Sequence, residues 1–359
     1  MKICVYAIAK NEEKFVKRWV SSMSEADDIY VLDTGSTDNT VALLQELGVH
    51  VKTEIINPWR FDTARNRSLE MVSEDADVCI CTDLDEVFEP GWRKEIEKYW
   101  TKETTHARYP YDWSLDENDK PIISFYIEKM HSRQGYIWHH PVHEVLKCLL
   151  PKENFITIDS ISVKHYPDNT KSRSSYLPLL ELSVQEDPED DRNMHYLGRE
   201  YMYYEQWEQA IETLKRHLNL KNAVWKDERA ASMRFIARCY QNLKDFDNAR
   251  VWLDKAIKEA PYLRDALVER ALLEYQLENF DQVEQLCFRA LQIRTHQKSY
   301  INEPFSWDGT VYDLLAISAY NLGRYAQAVY FVELALDYKP EDIRLLNNYR
   351  IFKEKESQL

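Results

Sequence analysis

Glycine is scarce in this 359-residue chain, with 7 in all. Loops that cradle phosphates need glycine for close backbone approach and for positive φ. Neither G-x-G-x-x-G nor G-x-x-x-x-G-K-[ST] occurs, which argues against a Rossmann dinucleotide site and a P-loop ATPase. The 6 cysteines contain no Cys-x-x-Cys pair and fit reduced, buried thiols in a cytosolic protein. No apolar run of 18 residues is present, and Met1 leads directly into a strand-like run. Neither a transmembrane segment nor a signal peptide is expected, and the chain reads as cytoplasmic. Basic residues are the minority: 46 Lys and Arg face 61 Asp and Glu, for a net charge of −15. An acidic chain repels the nucleic-acid backbone, and basic clusters are short, as at Lys171 with Arg173. No nucleic-acid partner is expected.

What remains is ordinary for a folded protein: 44% hydrophobic and 30% charged residues, with 23 Tyr and 10 Trp. The length allows two or three domains. Strand and helix signals alternate through roughly the first 165 residues. Ile3–Ala9 reads as a buried strand, Glu12–Met23 as an amphipathic helix with Phe15, Val16, Trp19 and Val20 on one face, and Ile29–Leu32 as a second strand. A helix over Asn39–Leu47 follows, with Ser36 or Thr37 as its cap and Gly48 as its stop. Val49–Ile56, Thr63–Ser73 and Val78–Thr82 continue as strand, helix and strand. This alternation predicts an α/β domain with an open, mostly parallel sheet. Ligands of such sheets sit at the carboxyl ends of the strands, where Asp33, Asp83 and Asp85 all fall. From Ala107 to Tyr166 the pattern is mixed and partly antiparallel, with a strand over Ile158–Lys164 leading to His165.

The chemistry concentrates at Asp83-Leu84-Asp85. Two carboxylates on one turn are costly in a sheltered cleft unless a cation joins them. A hard divalent ion meets that need and also neutralises a leaving diphosphate. Three upstream elements accompany the pair: Asn11-Glu12-Glu13, Asp33 with Gly35-Ser36-Thr37-Asp38, and Ala64-Arg65-Asn66. A carboxylate at Asp33 can accept N–H groups of a nucleobase, and a guanidinium at Arg65 can hold a diphosphate.

In this order and spacing the four motifs resemble family 2 glycosyltransferases of the GT-A fold, strongly over residues 1–100 and loosely over 101–170. The resemblance implies that Ala9 and Glu12 line the base pocket, that Asp33 binds the base, and that Arg65 binds the diphosphate. It further implies that Asp83 contacts ribose or metal, with Leu84 beside the nucleotide, and that Asp85 ligates Mn2+ or Mg2+. The donor is then a nucleotide-diphosphate sugar, most simply a UDP-sugar, and transfer inverts the anomeric centre. Inversion needs a base. The run Trp138-His139-His140-Pro141-Val142-His143-Glu144 resembles the His-Glu element of one branch of the family, which points to Glu144 as base with His143 orienting it or the sugar. Asp112, in the aromatic run Tyr109–Trp113, is the alternative. His165 is the expected third metal ligand, and Lys171 with Arg173 could clamp the diphosphate as a lid.

Residues 171–192 read as a connecting helix and linker, dividing a transferase domain (1–170) from a helical region (193–359). The helical region repeats. Gly198, Tyr201, Trp207, Ala210 and Leu214 recur as Ala237, Tyr240, Phe246, Ala249 and Leu253, again as Ala271, Tyr275, Phe280, Val283 and Cys287, and again as Ala316, Tyr320, Tyr325, Ala328 and Val332. Ala256 and Ala290 stand 34 residues apart, the tetratricopeptide (TPR) period, whereas Ala290 and Ala335 stand 45 apart. About four TPR-like units are therefore expected, with an aromatic insertion around His296–Asp308 that could meet an acceptor. A transferase domain fused to TPRs resembles bacterial enzymes that glycosylate peptides, including S-glycosyltransferases of glycopeptide bacteriocins. The array would bind a peptide, protein or glycan acceptor, or pair two copies of the chain. Two other readings stay open: a TPR scaffold whose front domain is degenerate, and a nucleotidyltransferase, which also uses paired carboxylates.

Overall fold

A computed structural model describes residues 1–171, 174–297 and 299–358. They form two compact units: Met1–Gln185 with a short excursion ending at Tyr300, and Glu186–Gln297 with Ile301–Leu359.

The first unit opens with β1 (Ile3–Ala9), α1 (Glu13–Ser22), β2 (Asp28–Asp33), α2 (Thr40–Glu46), β3 (His50–Thr53), α3 (Phe61–Glu70) and β4 (Val78–Cys81). It continues through β5 (Glu86–Phe88), α4 (Trp92–Tyr99), β6 (His106–Leu115), β7 (Pro121–His131), β8 (Tyr136–His139), β9 (Val145–Cys148), β10 (Phe155–Thr157), β11 (Val163–His165) and α5 (Tyr176–Glu186). Nine strands form one mixed sheet in the order β3-β2-β1-β4-β7-β6-β11-β5, with β10 beside β6, while β8 and β9 pair separately. β1 lies between β2 and β4 and runs parallel to both, with Ala9 opposite Asp33 and Tyr6 opposite Cys81. The parallel alternation read from the sequence holds up to β4. There β7 enters antiparallel to both β4 and β6. Of the strand expected over Ile158–Lys164, only Val163 and Lys164 are strand, in β11; β10 ends before it, at Thr157.

The continuous apolar run of β1 follows from burial on both faces. Ile3, Val5, Ala7 and Ala9 enter one core with Phe15, Val16 and Trp19 of α1, while Cys4 and Tyr6 enter another with Leu69, Cys79, Cys81 and Trp138. Neither Ser36 nor Thr37 caps α2. The N-cap position falls at Asn39, and Asp38 Oδ1 accepts from Thr40 N at 3.0 Å and Thr40 Oγ1 at 2.6 Å. Ser36 and Thr37 are committed elsewhere, to Asn11.

The second unit is helical: α6 (Asp191–Tyr203), α7 (Trp207–Asn219), α8 (Lys226–Asn242), α9 (Phe246–Glu259), α10 (Asp265–Gln276), α11 (Phe280–Gln292), α12 (Thr310–Asn321), α13 (Tyr325–Tyr338) and α14 (Ile343–Glu356). The small residues of the repeat mark close crossings. A Cβ on Gly198 would stand 2.5 Å from Leu214 Cγ, so α6 and α7 meet there as the repeat pattern predicts. Ala256, Ala271, Ala290, Ala316, Ala328 and Ala335 lie in one shared core. The inserted segment contains a short 3-10 turn over Pro304–Ser306. Trp307 is packed rather than presented: it stacks on His296 at 4.2 Å and lies under the Arg264 guanidinium at 3.9 Å. The insertion's large aromatic is thereby engaged within the array.

Candidate active site

The sheet topology places the carboxyl ends of β2, β1 and β4 side by side, which brings together the loops carrying the first, second and fourth motifs. The first two are stitched to each other. Asn11 Oδ1 accepts from Thr37 N at 2.8 Å, Asn11 N donates to Ser36 Oγ at 2.8 Å, and Glu13 Oε2 accepts from Asn39 N at 3.0 Å. Gly35 is required in the second loop, because it sits at φ 107 and a Cβ there would stand 2.6 Å from Ile55 Cδ1. Asp33 is 1% exposed and closes this turn, accepting from Gly35 N at 3.2 Å and Ser36 N at 3.1 Å. Ala9 ends β1 beside it, its carbonyl taken by Thr34 N at 2.8 Å.

Arg65 of α3 is the hub of the acidic edge. It is 4% exposed and donates to Asp83 Oδ1 at 2.9 Å, to Cys81 Sγ at 3.2 Å, and through Nε to Glu144. Rather than standing open for a diphosphate, it joins two carboxylates contributed from the loop after β4 and from the turn before β9. That turn is tied to α3 by Asn66, whose side chain donates to Trp138 O at 2.8 Å and accepts from Trp138 N at 2.8 Å. Phe61 N also donates to Pro141 O at 2.9 Å. The third motif and the Trp138–Glu144 run therefore meet. His143 stands in the same turn at φ 50, edge-on to Tyr176.

Lys129 of β7 is a second cation that no motif announced. Its Nζ donates to Asp83 Oδ2 at 2.9 Å and to Glu86 Oε1 at 2.8 Å. Burial alone would push Asp83 up, but Arg65 and Lys129 prevail and hold its carboxyl far below the ordinary range. Glu86 is shifted the other way: burial pushes it up, and Lys129 offsets this only in part. The antiparallel register of β7 on β4 delivers Lys129, and a lone lysine in a strand carries no readable signal for that.

Asp85 faces the other ligand candidate. His165 Nε2 lies 3.4 Å from Asp85 Oδ2, and Tyr166 N donates to the Asp85 carbonyl at 2.8 Å. Trp113 stacks on the imidazole at 4.5 Å, and its carbonyl lies 3.1 Å from His165 Nδ1. Burial opposes protonation of His165, yet the Asp85 carboxylate prevails and raises its pKa. Glu12 pairs with Lys171. Burial pushes the Glu12 carboxyl up to about 7, against the pull of Lys171. Arg173, named with Lys171 as a lid, lies outside the described residues.

Two side chains, Leu84 and Asp112, turn away from their expected places. Leu84 is 1% exposed and belongs to the core, so its side chain is not offered to a nucleotide. Tyr111 and Trp113 both approach His165, so strand alternation turns Asp112 to the opposite sheet face. Asp83, Asp85 and His165 do not close on one point. Among the described residues, only Asp191, His217 and Glu228 bring three such ligand atoms within 4.8 Å of one another.

Residues 4–149, within the first unit, match the family model described as "Glycosyl transferase family 2". Over 231 residues the chain is 26% identical to the SPbeta prophage-derived glycosyltransferase SunS of Bacillus subtilis (strain 168), covering 59% of this chain and 52% of that protein. It is 28% identical over 115 residues to an uncharacterized glycosyltransferase of Rickettsia bellii, covering 32% of this chain and 38% of that one. The chain thus spans about half the length of the first of these relatives. Solved structures similar to the helical half include MamA, with a TM-score of 0.38 at 16% identity over 50% of this chain and 99% of that chain. A thermophilic TPR protein of Thermus thermophilus gives a TM-score of 0.34 at 19% identity, over 50% of this chain and 89% of that one. Likenesses at those scores leave the TPR-like reading resting on the helix pairs themselves.

Proposed function

We propose that the family 2 glycosyltransferase domain matched at residues 4–149 moves a sugar from a nucleoside-diphosphate donor, most simply a UDP-sugar, to an acceptor nucleophile with inversion. The observation that carries this reading is the acidic edge itself. Asp83 and Asp85 follow β4 at the ligand-binding end of a parallel β2-β1-β4 core, and Asp85 faces His165 at 3.4 Å. An imidazole and a carboxylate at that spacing suit Mn2+, and suit Mg2+ less well. Asp85 and His165 would hold the ion, with Asp83 joining only once it leaves Arg65 and Lys129. The bound cation would neutralise charge building on the departing diphosphate. Glu12 and Asp33 border the base, and Lys171 approaches from the side of Glu12.

Glu144 is the proposed base. Its pairing with Arg65 fixes the carboxylate in direction. His143 orients it. The helical array is proposed to hold a peptide, protein or glycan acceptor, with pairing of two chains as its other role.

The test is a screen of nucleotide sugars with Mn2+ or Mg2+, read by release of the nucleoside diphosphate and by mass spectrometry of candidate acceptors. Release of UDP with a hexose mass added to the acceptor is expected. Pyrophosphate release from a nucleoside triphosphate would instead make the chain a nucleotidyltransferase. Absence of calorimetric heat with UDP, with and without Mn2+, would leave a binding scaffold.

A further inference from the structure

The first three helices of the second unit bring Asp191, His217 and Glu228 together from the start of α6, the end of α7 and the start of α8. Their ligand atoms lie within 4.8 Å of one another. His217 is fully buried and Glu228 is 3% exposed. His217 Nε2 lies 3.4 Å from Glu228 Oε1, yet it makes no hydrogen bond and is buried from water. A buried ring nitrogen left this way is costly, and here it points at two carboxylates.

The other face of the ring is fixed. His217 Nδ1 lies 2.9 Å from Ser232 Oγ, which in turn lies 2.7 Å from His195 Nδ1. When the Ser232 hydroxyl gives its hydrogen to His195, its oxygen accepts one from His217 Nδ1, and Nε2 then offers a lone pair. A ligating histidine is commonly held in this way, one nitrogen tied to a neighbour and the other free for the ion.

We propose that Asp191, His217 and Glu228 form a divalent-cation site that ties α6, α7 and α8 together. One imidazole and two carboxylates suit Zn2+ or a similar borderline ion. Ligands ~2.1 Å from a tetrahedral ion stand ~3.4 Å apart, so modest side-chain rotations close the group. The site is independent of the transferase reading.

The probe is Zn2+ alone, titrated calorimetrically into the full chain carrying Asp83→Asn and Asp85→Asn, which removes the acidic edge as a competitor. Metal content after dialysis and the thermal midpoint with and without chelator accompany it. One equivalent of Zn2+ is expected to be retained and to raise the midpoint. Adding Glu228→Gln should remove that equivalent and the metal-dependent rise while circular dichroism stays unchanged. Should that variant unfold, Asp191→Asn at the less buried ligand repeats the test and should weaken binding at least tenfold. Unchanged stoichiometry and affinity in whichever variant folds overturns the proposal. So does absence of retained Zn2+ in the parent, which would leave a histidine–carboxylate contact.

Discussion

The two units each gather buried and half-buried carboxylates around a basic group, and they balance the charge differently. At the acidic edge of the first unit, Asp83, Glu86 and Glu144 meet Arg65 and Lys129, cations that hold their charge throughout the working pH range. In the helical unit, Asp191 and Glu228 meet His217, whose charge depends on protonation. A metal at the first site must compete with cations already in place. At the second it would take up a nitrogen that now makes no hydrogen bond. The difference teaches that a D-x-D signature marks where a cation is wanted without fixing which groups close on it. That depends on which basic side chains the fold has placed nearby.

Arg65→Met should give the largest effect. Asp83 and Glu144 would then lose their shared partner inside the fold, at about 3–5 kcal/mol. Chemical denaturation would show it, and an unchanged midpoint would mean that Lys129 alone balances the edge. Asp85→Asn should leave the fold intact and lower sugar transfer by about 10²–10³-fold, the scale of one lost electrostatic stabiliser. Near-full activity of that variant in chelator would remove the metal from the mechanism. Glu144→Gln should lower turnover by about 10²-fold, while Asp112→Asn, on the far sheet face, should change it by less than about tenfold. The reverse ranking of the two variants would make Asp112 the base. The smallest effect concerns pH. The Glu12 carboxyl lies at about 7 in the fold against an ordinary 4.5. Between those values the unfolded chain ionises while the folded one resists, so stability falls as pH rises. Thermal melts of Glu12→Gln from pH 4 to 8 should lack that part of the decline. Parallel profiles for the two proteins would mean that Lys171 fully offsets the burial.

Much of the site was legible in advance because its motifs are local. Asn11-Glu12-Glu13, Asp33 and Asp83-Leu84-Asp85 each follow a strand, and parallel neighbours bring strand ends to one edge. Asp85 facing His165, and Glu144 meeting Arg65, extend that reading to partners far along the chain. Lys129 was not legible, since its position depends on how β7 registers against β4. Leu84 misled because a motif position says nothing about which way a side chain turns. Asp112 misled because its aromatic neighbours, not it, face His165.

By itself the sequence determined the alternation of strand and helix, the loops at the strand ends and the helical repeat, because periodicity and turn chemistry act over a few residues. Only the tertiary structure decided which cations hold Asp83, which sheet face Asp112 takes, and that residues 191, 217 and 228 converge. Those outcomes depend on strand register and helix crossing, where one residue's slip would turn every side chain elsewhere.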